Sequence, residues 1–264
     1  MRNHPQRLVV TTVAAALLTL AACACASAST SVSAPGDGSA PGSPVLSVCS
    51  DIPYPPFELT GADGPTGFDI DLVTELGSRL GRTVEITPTP LDGFADAFAR
   101  GTCDLAASAL VIPGPGVSPW PFSVPYLAVD QSLLVRSSEA SQLPSFSSLS
   151  GRRVGVVADS TSADFAATNL PTDATVVPFP SVDDAVGALR AGTVDAIVAD
   201  GPVASSVAST DGAFTVTEAR PTSVRYGLAI DPTDASLLSE VNTTLQAMDA
   251  DGTLQRLSDS WFGG

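Results

Sequence analysis

A unit that occurs twice constrains this 264-residue chain more than any other feature. The first copy runs Ala95-Asp-Ala-Phe-Ala-Arg-Gly101-Thr102-Cys103-Asp104-Leu-Ala-Ala-Ser108. The second runs from Asp184 through Ala-Leu-Arg-Ala-Gly192-Thr193-Val194-Asp195 to Ala199-Asp200. Each is a helical run, then Gly-Thr-x-Asp, then a short apolar strand. Glycine after a helical run is a helix stop. Small apolar residues without polar alternation suit a strand buried on both faces of a parallel sheet. Two such units predict two similar α/β lobes. Ligands of open α/β sheets bind outside the carboxyl ends of the strands, and those ends carry Ser108 and Asp200.

The N-terminus reads as a targeting segment. Arg2 and Arg7 precede an apolar run from Leu8 to Leu20, which is short for a bilayer span. Leu20-Ala21-Ala22-Cys23 then matches a bacterial lipobox, with Cys23 the acylated residue. The competing reading is ordinary cleavage near Ala26 to Ala28. Residues 24–44 are Ala, Ser, Thr, Gly and Pro almost throughout, a composition that buries no core and reads as a disordered tether. The expected domain content is therefore a signal over 1–23, the tether over 24–44, and a folded part from Val45 onward. A lipid anchor at Cys23 would hold the chain on the outer face of the cell membrane without spanning it.

Charge and absences narrow the chemistry. The chain has 28 acidic residues against 12 basic ones, all arginine. Such a surface repels phosphates and argues against nucleic acid. The one histidine is His4, in the signal. That leaves no His-based triad, metal site or proton shuttle. Without lysine there is no Schiff base and no P-loop. No catalytic residue, cofactor or metal is expected.

Periodicity sketches the rest. Val45 to Ser50 reads as a buried strand, and Asp51-Ile-Pro-Tyr-Pro-Pro-Phe-Glu58 as an extended proline loop. Phe68, Leu72, Val73, Leu76 and Leu80 recur at helical spacing, with Asp69 and Asp71 at the dipole-favoured start. Strands are expected at Val84 to Thr87, Gln131 to Arg136, Val154 to Ala158, Thr175 to Val177, Val194 to Ala199 and Val224 to Ile230. Helices are expected near Phe94, Ala163 to Asn169, Val182 to Leu189, Leu237 to Met248 and Leu254 to Trp261. Cys49 ends the first strand and Cys103 precedes the third. With Asp51 and Ser108 level at the carboxyl edge, the two cysteines differ by about three strand positions, roughly 10 Å along the sheet. This is beyond the roughly 7 Å reach of a disulfide, so two buried free thiols are expected.

Taken together, the chain resembles the family-3, polar-amino-acid-type solute-binding proteins of ABC importers. The resemblance rests on Tyr54-Pro-Pro-Phe-Glu58, Gly67-Phe-Asp-Ile-Asp-Leu72, Gly101-Thr-Cys-Asp104, Phe122-Ser-Val-Pro-Tyr126, Leu149-Ser-Gly-Arg-Arg-Val-Gly-Val156, Val194-Asp-Ala196 with Asp200, Tyr226-Gly227, and Asp251-Gly-Thr253 with Trp261-Phe262. It implies an α/β fold of the periplasmic-binding-protein type II class, two lobes joined by a two-strand hinge. Lobe 1 would be 45–128 plus 221–264, and lobe 2 would be 129–220. The implied partners are a small-molecule ligand and an ABC permease with its ATPase, the protein itself being a monomer.

The resemblance also nominates a site. Tyr54 or Phe57 would stack on the ligand, Asp51 would meet its polar end, and Ser108 would contact it. Asp159-Ser160, with Thr161 next, stands where the family has a Gly-Thr step that binds carboxylate. Asp200 would take the ammonium. The family's arginine after the serine, which forks onto the ligand carboxylate, is replaced by Gly116. These departures imply a cationic ligand or one without a free α-carboxylate, with Tyr54, Phe57 and Trp120 as cation–π faces. Arg220 or Arg225 near the hinge is the competing source of the missing charge. The alternative functions are a sensory or interaction lipoprotein with a degenerate pocket, and a cyclohexadienyl-dehydratase-like enzyme.

Overall fold

The computed structural model describes residues 44–262 apart from Pro115, all within a unit spanning Gly42–Gly264. The expectations for residues 1–43, Cys23 included, lie outside the described residues. In chain order the first half runs β1 (Val45–Ser50), β2 (Leu59–Gly61), β3 (Gly64–Thr66), α1 (Phe68–Arg79), β4 (Thr83–Pro88), α2 (Phe94–Arg100), β5 (Leu105–Ala106) and β6 (Leu127–Arg136). The second runs β7 (Arg153–Val157), α3 (Thr161–Asn169), β8 (Thr175–Phe179), α4 (Val182–Ala191), β9 (Ala196–Asp200), α5 (Gly201–Thr210), β10 (Phe214–Tyr226), β11 (Ala229–Ile230), α6 (Ala235–Ala250) and α7 (Thr253–Phe262).

The strands form two main sheets, ordered β11-β5-β1-β4 and β10-β6-β9-β7-β8, beside the β2-β3 hairpin. β1 pairs in parallel with both β4 and β5, and β7 with both β8 and β9. The chain passes from the first sheet to the second into β6 and returns after β10. These two strands pair antiparallel from Phe214↔Arg136 to Tyr226↔Leu127. Among the described residues no helix is long and apolar enough to cross a membrane.

The duplicated unit has one structural meaning in both sheets. Gly101 and Gly192 close α2 and α4 in the left-handed conformation, at φ 64° and 74°, which glycine adopts without a Cβ penalty. The aspartates that follow form matching rings. Asp104 accepts the Ser47 N–H at 2.8 Å and donates its own N–H to the Ser47 carbonyl. Asp195 does the same with Arg153, again at 2.8 Å. Each ring ties a turn to the neighbouring strand at the end away from the ligand edge.

Gly67 is fixed by a close approach. It sits at φ 134° before α1, and a Cβ there would collide with the Phe57 carbonyl. The tight fit lets the first amides of α1 find partners. Phe68 N–H donates to Pro56 O and Asp69 N–H to Phe57 O, both at 3.1 Å. Orphan helix donors are thereby capped by the proline loop.

The cysteines overturn the expectation of free thiols. Cys49 and Cys103 are disulfide-bonded, with Cα atoms 5.7 Å apart. β5 begins only at Leu105, and Gly101–Asp104 is a turn rather than extended chain. The strand-position count therefore does not apply, and Cys103 packs with Cys49, Phe94 and Phe98 in one apolar cluster. Three elements were not anticipated: the β2-β3 hairpin, α5, and the 13-residue length of β10. β10 contains Pro221, which lies at a register shift between Pro221 and Arg225, where a ladder donor is not required.

Candidate functional site

Four strand ends supply the site. β1 leads into Asp51, β5 into Ser108, β7 into Asp159–Thr161, and β9 ends in Asp200. Ser108 Oγ accepts the Asp51 N–H at 3.1 Å, so these two predicted residues are joined directly. Asp51 Oδ2 accepts the Leu91 N–H at 3.3 Å.

Asp200 is the best-held group. It is 5% exposed. Its Oδ1 accepts from Thr161 Oγ1 at 2.9 Å and from Gln131 Nε2, and its Oδ2 accepts from the Tyr226 hydroxyl. Asp200 precedes α5, whose first turn carries Pro202. Gln131 reaches it because β6 and β9 pair antiparallel with Gln131 opposite Asp200. Asp130, beside Gln131, has its carboxyl pushed up by partial burial, with the Asp200 charge adding to the effect.

The aromatic candidates separate. Tyr54 is half-buried, and its hydroxyl is held well above the usual phenol range by burial and then by the negative charges of Asp200 and Glu58. Its ring stacks 6.0 Å from Phe57. Phe57 is fully buried, with Phe68, Tyr226 and Phe262 around it. Trp120 packs edge-on against Phe98 at 5.6 Å. Of the candidate aromatics Tyr54 is thus the one whose hydroxyl feels the Asp200 charge, and Phe57 supports it from the core.

Ser160 and Thr161 divide their tasks. Ser160 is the N-cap of α3, accepting from Ala163 N–H at 3.3 Å and donating to Val157 O at 2.7 Å. Thr161 turns to Asp200. Asp159 stands at φ 54° before them.

A second buried carboxyl group lies beneath the Tyr54 loop. Glu58 and Asp69 are both fully buried. Asp69 Oδ2 accepts from Ala109 N–H at 2.7 Å and from the Tyr126 hydroxyl at 2.9 Å. Ala109 holds a left-handed φ of 46° directly after Ser108, a strained conformation for alanine, and Asp69 anchors it. Both Glu58 oxygens and Asp69 Oδ1 lack a donor among the described residues. A proton on Glu58 would give this carboxyl pair the donor it lacks. Burial, then the adjacent Asp69 charge, pushes the Glu58 carboxyl up to about 12. Asp69 is raised by burial against the pull of its donors.

The arginines stand elsewhere. Among the described residues, every Arg–carboxylate ion pair uses acids other than Asp51, Asp130 and Asp200. Arg220 pairs with Glu218 and lies 4.8 Å over the Phe146 ring. Arg225 donates to the Thr222 and Val224 carbonyls and lines a cavity with Tyr126 and Leu245. Gly116 is exposed at φ 77°. No group of three or more metal-ligating side chains occurs among the described residues.

Two α/β sheets joined by paired crossing strands, with polar groups gathered at the strand ends, define a type II periplasmic-binding-protein fold. The family model for bacterial extracellular solute-binding proteins, family 3, matches residues 46–264, and the chain belongs to that family. It is 29% identical to the L-cystine-binding protein TcyJ of Escherichia coli (strain K12), over 80% of this chain and 79% of that protein. It is 27% identical to the ABC transporter arginine-binding protein 1 of the same organism, over 79% and 87%. Among solved structures it is similar to the ancestral cationic amino acid solute binding protein AncCDT-1, with TM-score 0.73 and 34% identity over 83% of this chain and 95% of that one. The protein is a solute-binding protein of the amino-acid ABC transport family.

Proposed function

We propose that this chain is an extracytoplasmic lipoprotein, anchored through Cys23, that delivers a small polar solute to an ABC permease and its ATPase. Its lobes, 45–128 plus 221–264 and 129–220, close on the ligand about β6 and β10. The ligand is cationic or lacks a free α-carboxylate. The observation that carries this reading is Asp200, a buried carboxylate held by three neutral donors with no arginine among its partners. A carboxylate offers about four lone-pair sites, so one acceptor position is left for a ligand ammonium. Tyr54 supplies an aromatic face beside it. Asp51 and Asp130 add negative potential, which disfavours a ligand carboxylate.

The test is a thermal-shift and calorimetry screen against amino acids, their amides and the corresponding amines, with Asp200→Ala as control. Binding of amines and amides, lost in the control, is expected. Tight binding that depends on a free carboxylate refutes the ligand assignment. One observation favours a second reading, an interaction lipoprotein with a degenerate pocket: Asp200 is already hydrogen-bonded within its own chain. A folded protein that binds no member of the screen would decide for it.

A further inference from the structure

The amide of Gln131 is the buried polar group that the protein leaves unfinished. The residue is fully buried on β6. Its Nε2 faces Asp200 Oδ1 and lies 3.3 Å from Thr161 Oγ1. This orientation follows from chemistry, because a carboxylate offers only acceptors and the amide must turn its nitrogen toward it. The opposite end, Oε1, is then committed away from Asp200, and it has no donor among the described residues. A buried carbonyl without a partner is costly, and native proteins rarely retain one without a reason.

Gln131 also lines a cavity of about 240 Å³ between α3 and β10. The other walls include Thr161, Asp164, Thr168 and Thr222, with the Phe165 ring as an apolar face. No basic side chain lines it. The lining therefore offers hydroxyls and one carboxylate, with the buried Gln131 amide behind them, which suits a ligand group rich in N–H donors. Thr161 belongs both to this cavity and to the Asp200 cluster.

We propose that Gln131 is a specificity-determining residue of the solute site. Its Nε2 holds Asp200 in place and its Oε1 receives an N–H of the bound solute, so that the site selects primary ammonium, amide or guanidinium groups over quaternary ammonium. This rests on the reading of Asp200 as a ligand contact. A quaternary ammonium has charge but no N–H, so it would satisfy Asp200 electrostatically and leave Gln131 Oε1 unpaired. Sites built to hydrogen-bond a ligand group reject analogues that lack it, because the buried partner is left without a mate.

The test uses matched pairs on the full folded chain by calorimetry: ethanolamine against choline, putrescine against its N,N′-hexamethyl derivative, and alanine against its N-trimethyl derivative. The wild type is expected to prefer the N–H-bearing member by about tenfold or more. In Gln131→Met, similar in length but with only a weakly accepting thioether in place of the carbonyl oxygen, the preference is expected to fall below about threefold. Loosening of Asp200 alone would weaken both members and leave the ratio intact. Equal binding of the two members by the wild type overturns the inference, and this comparison stands whether or not the variant folds. Retention of the full preference by a folded Gln131→Met overturns it as well. Selective binding confined to the alanine pair would sustain the role of Gln131 while refuting the carboxylate-free ligand. Binding by no member of any pair overturns both.

Discussion

Replacing Glu58 by glutamine tests the buried carboxyl pair directly. In the folded protein Glu58 holds its proton up to about 12, against an ordinary value of 4.5. Between these values the folded state binds one proton that the unfolded state releases. The slope of unfolding free energy with pH follows the protons bound in the unfolded state minus those in the folded one. That difference is negative here, so stability is greatest below the unfolded value and falls as pH rises. One proton corresponds to about 1.4 kcal/mol per pH unit, or about 2.7 kcal/mol between pH 6 and 8. Glutamine keeps the shape and donates an N–H to Asp69 without taking up a proton. The assay is urea unfolding of both proteins at pH 6, 7 and 8. Glu58→Gln is expected to gain on the wild type by about 1.4 kcal/mol for each unit of rising pH. Parallel pH profiles would refute a protonated Glu58.

Other perturbations reach other parts of the structure. Reduction of Cys49–Cys103, or Cys49→Ser, removes a bridge across 54 positions; loop-closure entropy puts the loss at about 4 kcal/mol, measurable by chemical unfolding with and without reductant. Gly67→Ala places a methyl against the Phe57 carbonyl at a positive φ. The expected loss is about 3 kcal/mol or more, and an unchanged unfolding midpoint would contradict the close approach. Asp200→Ala strips the acceptor from Gln131, Thr161 and Tyr226 at once. It is expected to lower stability by about 2–5 kcal/mol and to abolish ligand-induced thermal shifts, whereas Tyr226→Phe keeps the carboxylate and retains ligand-induced shifts.

The sheets were legible because strand and helix periods differ and small apolar runs are unambiguous. Val194 to Ala199 reads as buried strand from its composition, and the strand found there, Ala196–Asp200, is buried throughout. α5 was not legible: its Gly-Pro-Val-Ala-Ser-Ser-Val-Ala-Ser-Thr sequence has too few large apolar residues to mark a face, and only its first turn is buried. β10 alternates polar residues around Pro221, and its identity as a strand comes from pairing with β6 rather than from its own sequence. At the site, residues that follow strand ends could be named from sequence. Their partners could not, since Gln131 meets Asp200 only through the β6-β9 register. Asp69 reads as a carboxylate favoured by the helix dipole at the start of α1, but its full burial beside Glu58 could not be read from that spacing, because it depends on the tight Gly67 turn.

The two aspartate rings have a consequence for how such a protein can change. Asp104 and Asp195 fasten each sheet from behind, with the same pair of bonds to Ser47 and Arg153. Ser108 and Asp200 stand at the other end of the same strands, four and five residues on. Backbone fastening and the candidate site residue are thus set apart along one short segment, twice over. The fastened end tolerates little, because its bonds are reciprocal and backbone-directed. At the open end Ser108 and Asp200 are held through their side chains, so an exchange there costs stability locally but leaves the backbone-directed bonds of the rings in place. A scaffold arranged this way can vary the side chains at its strand tips while the rings behind them keep each sheet in register.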